Sequence, residues 1–297
     1  MSPSYHSLCR EALKRYAGLD ERSGQREELR LLQMYEVVFD EQMIAVPRTK
    51  LEIEPAQREA DQAEPRDRHA LMPSAEEMGE LFAQLAERID ERCPDSLPDS
   101  TVIRDLCGRG QWNYGQIIEA ATEGDPVAIE DMATDADAKT ESFLLIVRES
   151  LRPYVFCAAL GRIGSDWHES EGGLGEPECP VCGSEPSLME EAQGRRSTKR
   201  LLCSFCGALW PTRRPLCLFC DNQNPGRFTS MESGSAIGAR ADVCEACKMY
   251  IKVLPRTDSD KGNPISLYMD SLLTEHLDTM LEEEDYEGTA KETFSIF

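Results

Sequence analysis

The chain has 297 residues, which corresponds to about two domains of ~100–200 residues each. Its formal net charge of −23 argues against a nucleic-acid partner, because affinity for a phosphate backbone depends mainly on Lys and Arg. Although 40% of the residues are hydrophobic, charges or prolines interrupt every stretch of about 20 residues, so no membrane span is expected.

The N-terminal residues carry charge where a secretion signal would carry an apolar run. Arg10, Lys14 and Arg15 all lie near the start of the chain. A signal peptide needs an apolar segment of about 7–15 residues in this region. We therefore expect a cytoplasmic protein, in a reducing compartment where disulfides are rare.

Residues 1–170 are predicted to form a helical domain. The first long pattern typical of a helix covers residues 27–46. Residues 47–73 are charged and contain few large apolar side chains, which indicates a loop.

Two further helix starts can be recognised from their capping residues. Ser74 and Glu77 have the spacing of a capping box, in which each side chain satisfies a free backbone donor. Apolar residues then recur at steps of three and four until Pro94, where the helix is expected to end. Asp125 followed by Pro126 predicts another start, because Asp can cap and Pro suits the first helical position.

The most apolar segment of the helical domain is residues 143–160, which we predict to be its central helix. Pro153 lies inside this segment, so we expect it to kink the helix or divide it into two. The glycines between residues 161 and 177 indicate a linker to a second region.

Residues 177–256 are predicted to form a double metal-binding region, with one site in 177–215 and another in 216–256. Residues 187–190 and 199–202 have the pattern of a β-hairpin, and residues 249–254 indicate a further strand.

Helical periodicity resumes at residues 265–281, and the acidic residues 282–285 that follow are expected to be solvated. We assign residues 264–286 to a C-terminal helix with an acidic tail. The predicted fold class is therefore α+β: a helical N-terminal domain, two rubredoxin-like or zinc-ribbon metal-binding subdomains and a C-terminal helix.

Eight of the twelve cysteines carry the metal prediction. They form four Cys-x-x-Cys pairs: Cys179 with Cys182, Cys203 with Cys206, Cys217 with Cys220, and Cys244 with Cys247. Two such turns supply the four thiolates of one tetrahedral site, so eight thiolates make two sites. The intervals between successive pairs are 20, 10 and 23 residues, and the longer two suit a hairpin. These lengths favour one site made by the first and second pairs and another made by the third and fourth pairs. The alternative is a cross-brace, in which the first pair shares a site with the third and the second with the fourth.

Zinc and iron both accept four thiolates, so each site is expected to hold one or the other. Glycine follows the second cysteine in the first two pairs, as in rubredoxin turns. A divalent ion with four thiolates leaves a charge of −2 per site, and residues 176–256 contain 11 basic and 9 acidic side chains. A basic group either offsets this charge or provides a contact surface for an acidic partner: Arg195, Arg196, Lys199, Arg200, Arg213 and Arg214. For the contact surface we select Arg195, Arg196 and Lys199.

The remaining cysteines and the four histidines show no spacing typical of a catalytic site. Cys9, Cys93, Cys107 and Cys157 have no paired spacing and are expected to be buried thiols. No nucleotide-binding glycine loop is present in the sequence. We therefore assign no catalytic residue and expect a protein that is not an enzyme.

Three motifs follow one another in the second half of the chain: Cys179-Pro-Val-Cys-Gly-Ser-Glu-Pro186, Arg200-Leu-Leu-Cys-Ser-Phe-Cys206 and Cys244-Glu-Ala-Cys-Lys-Met-Tyr-Ile-Lys252. Trp210 and Arg213 stand between the second motif and the third cysteine pair, and Asp270-Ser-Leu-Leu273 belongs to the closing helix. In this order the motifs resemble the FdhE family of formate dehydrogenase accessory proteins. The resemblance covers residues 177–297, and the N-terminal half only through its helical character.

The resemblance implies two rubredoxin-like sites reported with iron and a cytoplasmic role in maturing formate dehydrogenases. It implies that the partner is the catalytic subunit of a molybdenum- or tungsten-containing formate dehydrogenase, contacted before export. Family members often carry Asp and Gly where this sequence has Glu245 and Lys248. The alternative function is a rubredoxin-like electron carrier or a thiol or iron redox enzyme, whereas the net charge disfavours a zinc-ribbon nucleic-acid adaptor.

Overall fold

The structure is a computed structural model that describes residues 4–17, 26–45, 68–97, 99–163, 177–193, 198–212, 217–232, 237–257 and 263–288. These residues fall into two compact units, the first within residues 4–161 and the second within residues 162–288. None of the described helices is long and apolar enough to cross a membrane.

The described part of the first unit is built from seven α-helices. They are α1 (Tyr5–Tyr16), α2 (Arg26–Ala45), α3 (Ala75–Arg92), α4 (Ser100–Gly108), α5 (Tyr114–Glu123), α6 (Pro126–Asp135) and α7 (Thr140–Ile163). The predicted loop at 47–73 lies largely outside the described residues, as does most of the predicted linker at 161–177.

Both capping predictions are confirmed. The Glu77 N–H donates to Ser74 Oγ at 3.2 Å, and the Glu77 carboxylate accepts from the Ser74 N–H at 2.9 Å, which completes a capping box at α3. Asp125 accepts from the Ala128 N–H at 3.1 Å, and Pro126 opens α6. Each cap satisfies donors that the first helical turn leaves free.

The central helix is confirmed as α7, but Pro153 does not divide it. Proline has no N–H, so it cannot donate to the carbonyl of Glu149 one turn earlier. The side chain of Gln42 supplies the missing donor, with Nε2 2.7 Å from the Glu149 carbonyl oxygen. A neighbouring helix therefore satisfies the backbone group that Pro153 leaves free, and the helix continues.

The second unit contains one sheet of seven strands within the described residues. They are β1 (Pro186–Gln193), β2 (Thr198–Cys203), β3 (Leu209–Thr212), β4 (Phe228–Glu232), β5 (Arg240–Cys244), β6 (Met249–Thr257) and β7 (Glu287–Gly288). The strand order is β3-β2-β1-β6-β5-β4, and β7 also pairs with β6. The predicted β1–β2 hairpin is confirmed as an antiparallel pair. A parallel pairing of β1 with β6, with Leu188 opposite Lys252, joins the two cysteine regions into this single sheet.

The C-terminal segment forms two helices where one was expected: α8 (Pro264–Leu272) and α9 (Glu275–Glu283). Thr274 lies at the break and its hydroxyl donates to the carbonyls of Asp270 and Ser271, at 2.8 and 3.0 Å. These two bonds serve carbonyl groups at the end of α8, where helical N–H donors are missing. The acidic residues 282–285 are exposed, as predicted.

A buried ion pair fixes α8 on the sheet. Arg256 Nη2 of β6 lies 2.8 Å from Asp270 Oδ2 of α8, and both side chains are buried.

Helices α1–α7 and the sheet with its C-terminal helices together confirm the predicted α+β class.

Candidate metal centres

The first four cysteines meet in a buried cluster. Cys179 and Cys182 lie in the turn before β1, while Cys203 ends β2 and Cys206 lies in the next turn. Cys179 Sγ is 3.6 Å from Cys206 Sγ, and Cys182 Sγ is 3.4 Å from Cys203 Sγ. All four sulfur atoms lie within 4.8 Å of one another.

The backbone of the two turns points N–H groups at these sulfur atoms. The N–H of Val181 donates to Cys179 Sγ, and the N–H of Cys206 donates to Cys203 Sγ, both at 3.4 Å. Such bonds offset the negative charge of a thiolate. Gly183 closes the first of these turns with φ of 79°, a left-handed conformation that glycine adopts without strain.

The last four cysteines form a second cluster that is less completely buried. Cys217 Sγ is 3.7 Å from Cys247 Sγ, and Cys220 Sγ is 3.8 Å from Cys244 Sγ. Cys217 and Cys244 are buried, Cys247 is half-buried and Cys220 is exposed. One side of this cluster is thus open to solvent.

The turns of the second cluster keep the left-handed conformation without glycine. Asp221 and Lys248 follow the second cysteine of their pairs and have φ of 54° and 63°. The departure from glycine noted in the sequence therefore leaves the turn geometry in place, at the cost of backbone strain.

Both clusters have the dimensions of a tetrathiolate site. A tetrahedral ion with metal–sulfur bonds of about 2.3 Å separates its sulfur atoms by about 3.8 Å. The closest sulfur pairs lie 3.4–3.8 Å apart, much longer than a disulfide bond of about 2.05 Å. Each cluster could therefore hold a metal ion, and the cysteines are grouped in sequential order and not as a cross-brace.

Burial opposes the ionisation of two cysteines in the first cluster. Burial raises the pKa of Cys203 and Cys206 well above the ordinary thiol value. Hydrogen bonds, first with Cys179 and then with Cys203, lower the pKa of Cys182. Burial thus opposes the ionisation of Cys203 and Cys206, and a divalent cation held among the sulfur atoms would offset that penalty.

In the second cluster, hydrogen bonds favour one thiolate in particular. Burial opposes the ionisation of Cys244, but the N–H groups of Cys247 and Ala246 bring its pKa down to about 6. The side-chain amide of Asn222 also donates to Cys244 Sγ, at 3.8 Å.

Two polar neighbours of the sulfur atoms were missed from the sequence. Ser184 Oγ lies 3.4 Å from Cys182 Sγ, and Asn222 is the amide donor at Cys244. Both stand two residues after the second cysteine of a pair, a recurring position that could have identified them.

Only part of the predicted basic surface can be located. Arg195 and Arg196 lie outside the described residues. Lys199 lies on β2 with Nζ 3.7 Å from Glu191 Oε1, so its charge is partly compensated within the sheet.

The four unpaired cysteines lie apart from both clusters. Cys9 and Cys157 are buried, as expected, whereas Cys93 and Cys107 are half-buried. Burial raises the pKa of Cys9 to about 12, which makes it an unreactive thiol.

The fold and the two clusters together define a class of protein: a helical unit joined to a mixed sheet that carries two zinc-ribbon-like tetracysteine centres. The comparisons with known proteins agree with this class. A family model described as FdhE, C-terminal domain, matches residues 216–294. A solved structure, described as the crystal structure of the FdhE protein from Pseudomonas aeruginosa, covers 100% of this chain and 98% of its own. The TM-score is 0.58 at 18% identity, which shows similarity of fold.

Curated relatives point in the same direction. Proteins named Protein FdhE homolog from Rhizobium meliloti and Pseudomonas putida are 24% and 28% identical over 119 and 147 residues. These alignments cover 39% and 45% of this chain and 38% and 45% of the relatives, so the chain spans less than half the length of each. The resemblance inferred from the cysteine motifs is confirmed: the family model and the relatives show that the chain is similar to FdhE proteins in sequence, and the solved structure shows that it is similar in fold.

Proposed function

We propose that the protein is an accessory factor in the maturation of a molybdenum- or tungsten-containing formate dehydrogenase. It would bind the catalytic subunit of that enzyme in the cytoplasm, before export, and would not itself be an enzyme. The observation that carries this proposal is the FdhE match at residues 216–294, which includes the second cysteine cluster and both C-terminal helices.

The proposal includes two resident metal ions, iron or zinc, one in each cluster. Their ligands would be Cys179, Cys182, Cys203 and Cys206 in the first cluster and Cys217, Cys220, Cys244 and Cys247 in the second. A bound ion would supply the positive charge that lets buried thiols ionise, and its binding energy would add to the folding energy of the sheet. The N–H groups directed at the sulfur atoms would hold the thiolates in place.

The proposed contact surface consists of Arg195, Arg196 and Lys199. Positive charge on this surface would orient an acidic partner and speed its encounter more than it would raise affinity. Lys199 already lies near Glu191, so part of its charge serves the sheet, and the two arginines would carry more of the contact.

Binding can be tested by association kinetics with the purified catalytic subunit. The variant combines Arg195→Glu, Arg196→Glu and Lys199→Gln, because Glu at position 199 would face Glu191. We expect association to slow by about tenfold at low salt, with both metals retained. The control makes the same charge change at exposed cations of the first unit: Arg10→Glu, Arg109→Glu and Lys14→Gln. Equal slowing by the control would show that net charge, and not this surface, matters.

The cellular role can be tested by deletion. Cells that lack this protein should lose most formate dehydrogenase activity while still making the catalytic subunit, and a plasmid copy should restore activity. Full activity without the protein would refute the accessory role.

A rubredoxin-like electron carrier or a thiol or iron redox enzyme is the second candidate. It is favoured by the first cluster, where Gly183 and Gly207 close tetrathiolate turns of rubredoxin type. Anaerobic redox titration separates the two functions. A carrier would transfer electrons reversibly to formate dehydrogenase at a rate that supports turnover, whereas an accessory factor would not.

A further inference from the structure

The two cysteine clusters differ in how far solvent reaches them. All four cysteines of the first cluster are buried. In the second cluster Cys247 is half-buried and Cys220 is exposed. The side of the cluster at Cys220 is therefore the face from which a small molecule can approach the sulfur atoms.

The segment after α9 fastens the last cysteine turn. The Tyr286 hydroxyl donates to Glu245 Oε1 at 2.5 Å, and Lys248 Nζ lies 2.8 Å from Glu245 Oε2. Lys248 Nζ also lies 4.6 Å from the centre of the Tyr286 ring, within the range of a cation–π contact. The Glu287 N–H donates to the Lys248 carbonyl at 2.8 Å. We call Glu245, Lys248 and Tyr286 the C-terminal clasp.

The clasp is attached to a packed part of the unit. Leu281 of α9 is buried against Val243 and Tyr250 of the sheet, and Tyr286 packs against this group of apolar side chains. The Tyr250 hydroxyl donates to Asp278 Oδ1 at 2.7 Å. The last cysteine turn is therefore held by α9 as well as by its own sheet bonds.

We propose that the second cluster is a metal-exchange site that accepts an incoming thiol at the Cys220 side, and that the clasp limits the rate of exchange. The sulfur of the thiol bonds to the bound ion as the bond from Cys220 Sγ breaks. The proton of the thiol passes to Cys220 Sγ, and no oxidation state changes. The first cluster, whose four cysteines are buried, releases its ion more slowly. This inference rests on the proposed two-metal content and not on the formate dehydrogenase partner.

The test uses the full chain loaded anaerobically with two equivalents of zinc. It is mixed with glutathione, and the released zinc is followed with the dye 4-(2-pyridylazo)resorcinol. We expect one equivalent to leave about tenfold faster than the other, because local opening at the exposed cluster needs less free energy. The rate of the fast phase should rise with glutathione concentration.

Matched cysteine variants assign the two phases. Cys220→Ser should remove the fast phase and leave the slow one, whereas Cys182→Ser, the equivalent position in the first cluster, should remove the slow phase. Alkylation of the wild-type protein with iodoacetamide gives the same assignment without a variant. Among the eight paired cysteines, we expect Cys220 to be modified first and the four cysteines of the first cluster last.

The clasp is tested by Tyr286→Phe, which removes only the hydroxyl that bonds to Glu245. Loss of one hydrogen bond should speed the fast phase by about fivefold and leave the slow phase unchanged. Tyr154→Phe is the control, since the Tyr154 hydroxyl donates to the Glu77 carbonyl in the first unit.

Each result decides a specific part of the proposal. Two retained zinc ions with equal release rates, a fast phase that belongs to the first cluster, or a fast phase insensitive to glutathione would overturn the exchange site alone. An unchanged fast phase in Tyr286→Phe would overturn the role of the clasp. Fewer than two zinc ions in the folded, loaded chain would overturn the metal content on which the inference rests.

Discussion

The residue after the second cysteine has positive φ in every one of the four cysteine turns. The angles are 79° at Gly183, 69° at Gly207, 54° at Asp221 and 63° at Lys248. This conformation turns the chain sharply enough to aim both sulfur atoms of a pair at one point. In the first cluster glycine adopts this conformation without strain, whereas in the second cluster Asp221 and Lys248 adopt it with backbone strain.

Replacing Gly183 by Ala should therefore destabilise the second unit by about 1 kcal/mol, because alanine resists positive φ. The free energy of unfolding of the metal-loaded protein, from denaturant titration, measures this. Gly108→Ala is the control, since Gly108 ends α4 with open space around its Cα. The Gly108→Ala variant should have a free energy of unfolding equal to that of the parent protein or slightly higher. A Gly183→Ala variant as stable as the parent would show that the turn does not require the left-handed conformation.

Single residues were predicted well where their effect is local. The caps formed by Ser74 and Asp125 act on donors within three residues, so their spacing is visible in the sequence. The position of Asn222, two residues after Cys220, marks it as a polar neighbour of a cysteine turn, but its partner Cys244 lies 22 positions away and is brought to it only by the folded sheet.

At the scale of elements, α7 shows how a helix can contain a proline. The Glu149 carbonyl that Pro153 leaves free accepts from Gln42, and Gln42 Oε1 accepts from the Tyr5 hydroxyl at 2.7 Å. Three helices thus share one buried polar network, which satisfies a group that would otherwise be costly to bury.

A double-mutant cycle tests this account of α7. Gln42→Ala should lower the free energy of unfolding of the first unit by about 2 kcal/mol, since it removes the side-chain donor that bonds to the Glu149 carbonyl. In a Pro153→Ala background the new N–H can serve that carbonyl, so Gln42→Ala should cost about 1 kcal/mol less. Additive effects would contradict the proposed exchange of donors. Tyr5→Phe measures the separate contribution of the Tyr5 hydroxyl.

The elements that were predicted wrongly depend on features of the folded chain that the periodicity of apolar residues in the sequence does not reveal. Residues 265–281 are helical as expected, but they are divided into two helices at Thr274, whose φ of −113° and ψ of 17° are not helical. The parallel pairing of β1 with β6 brings together residues more than 60 positions apart, so the two cysteine regions looked separate in the sequence.

The whole molecule consists of two units with different sources of stability. The first has a core of large apolar side chains such as Phe39, Phe82 and Phe143. The second has many turns and two candidate metal centres, so metal binding should contribute much of its folding energy.

Chelation should therefore affect the two units differently. Removal of both metals under anaerobic conditions should unfold the sheet, while the first unit keeps its helices. Hydrogen exchange measured by mass spectrometry should show lost protection in residues 186–257 and retained protection in α3 and α7. Loss of protection in both units, or in neither, would contradict the separate role of the metals.

The two groups of cysteines were the most predictable feature of the molecule, because two residues between paired cysteines let one turn direct both sulfur atoms at the same point. Their grouping was left open between sequential order and a cross-brace, and the sulfur distances show the sequential arrangement. The unequal exposure of the clusters depends on how the C-terminal segment and the sheet pack, and no local pattern indicates it.

The central claim is that eight cysteines bind two metal ions, and metal content tests it most directly. Elemental analysis of the full chain, folded and purified without oxygen, should give two equivalents of iron and zinc combined. Cobalt substitution should show the absorption of tetrahedral thiolate coordination for both equivalents, and each should disappear with its own cluster in Cys182→Ser or Cys220→Ser. One equivalent or none in the folded protein would contradict the account.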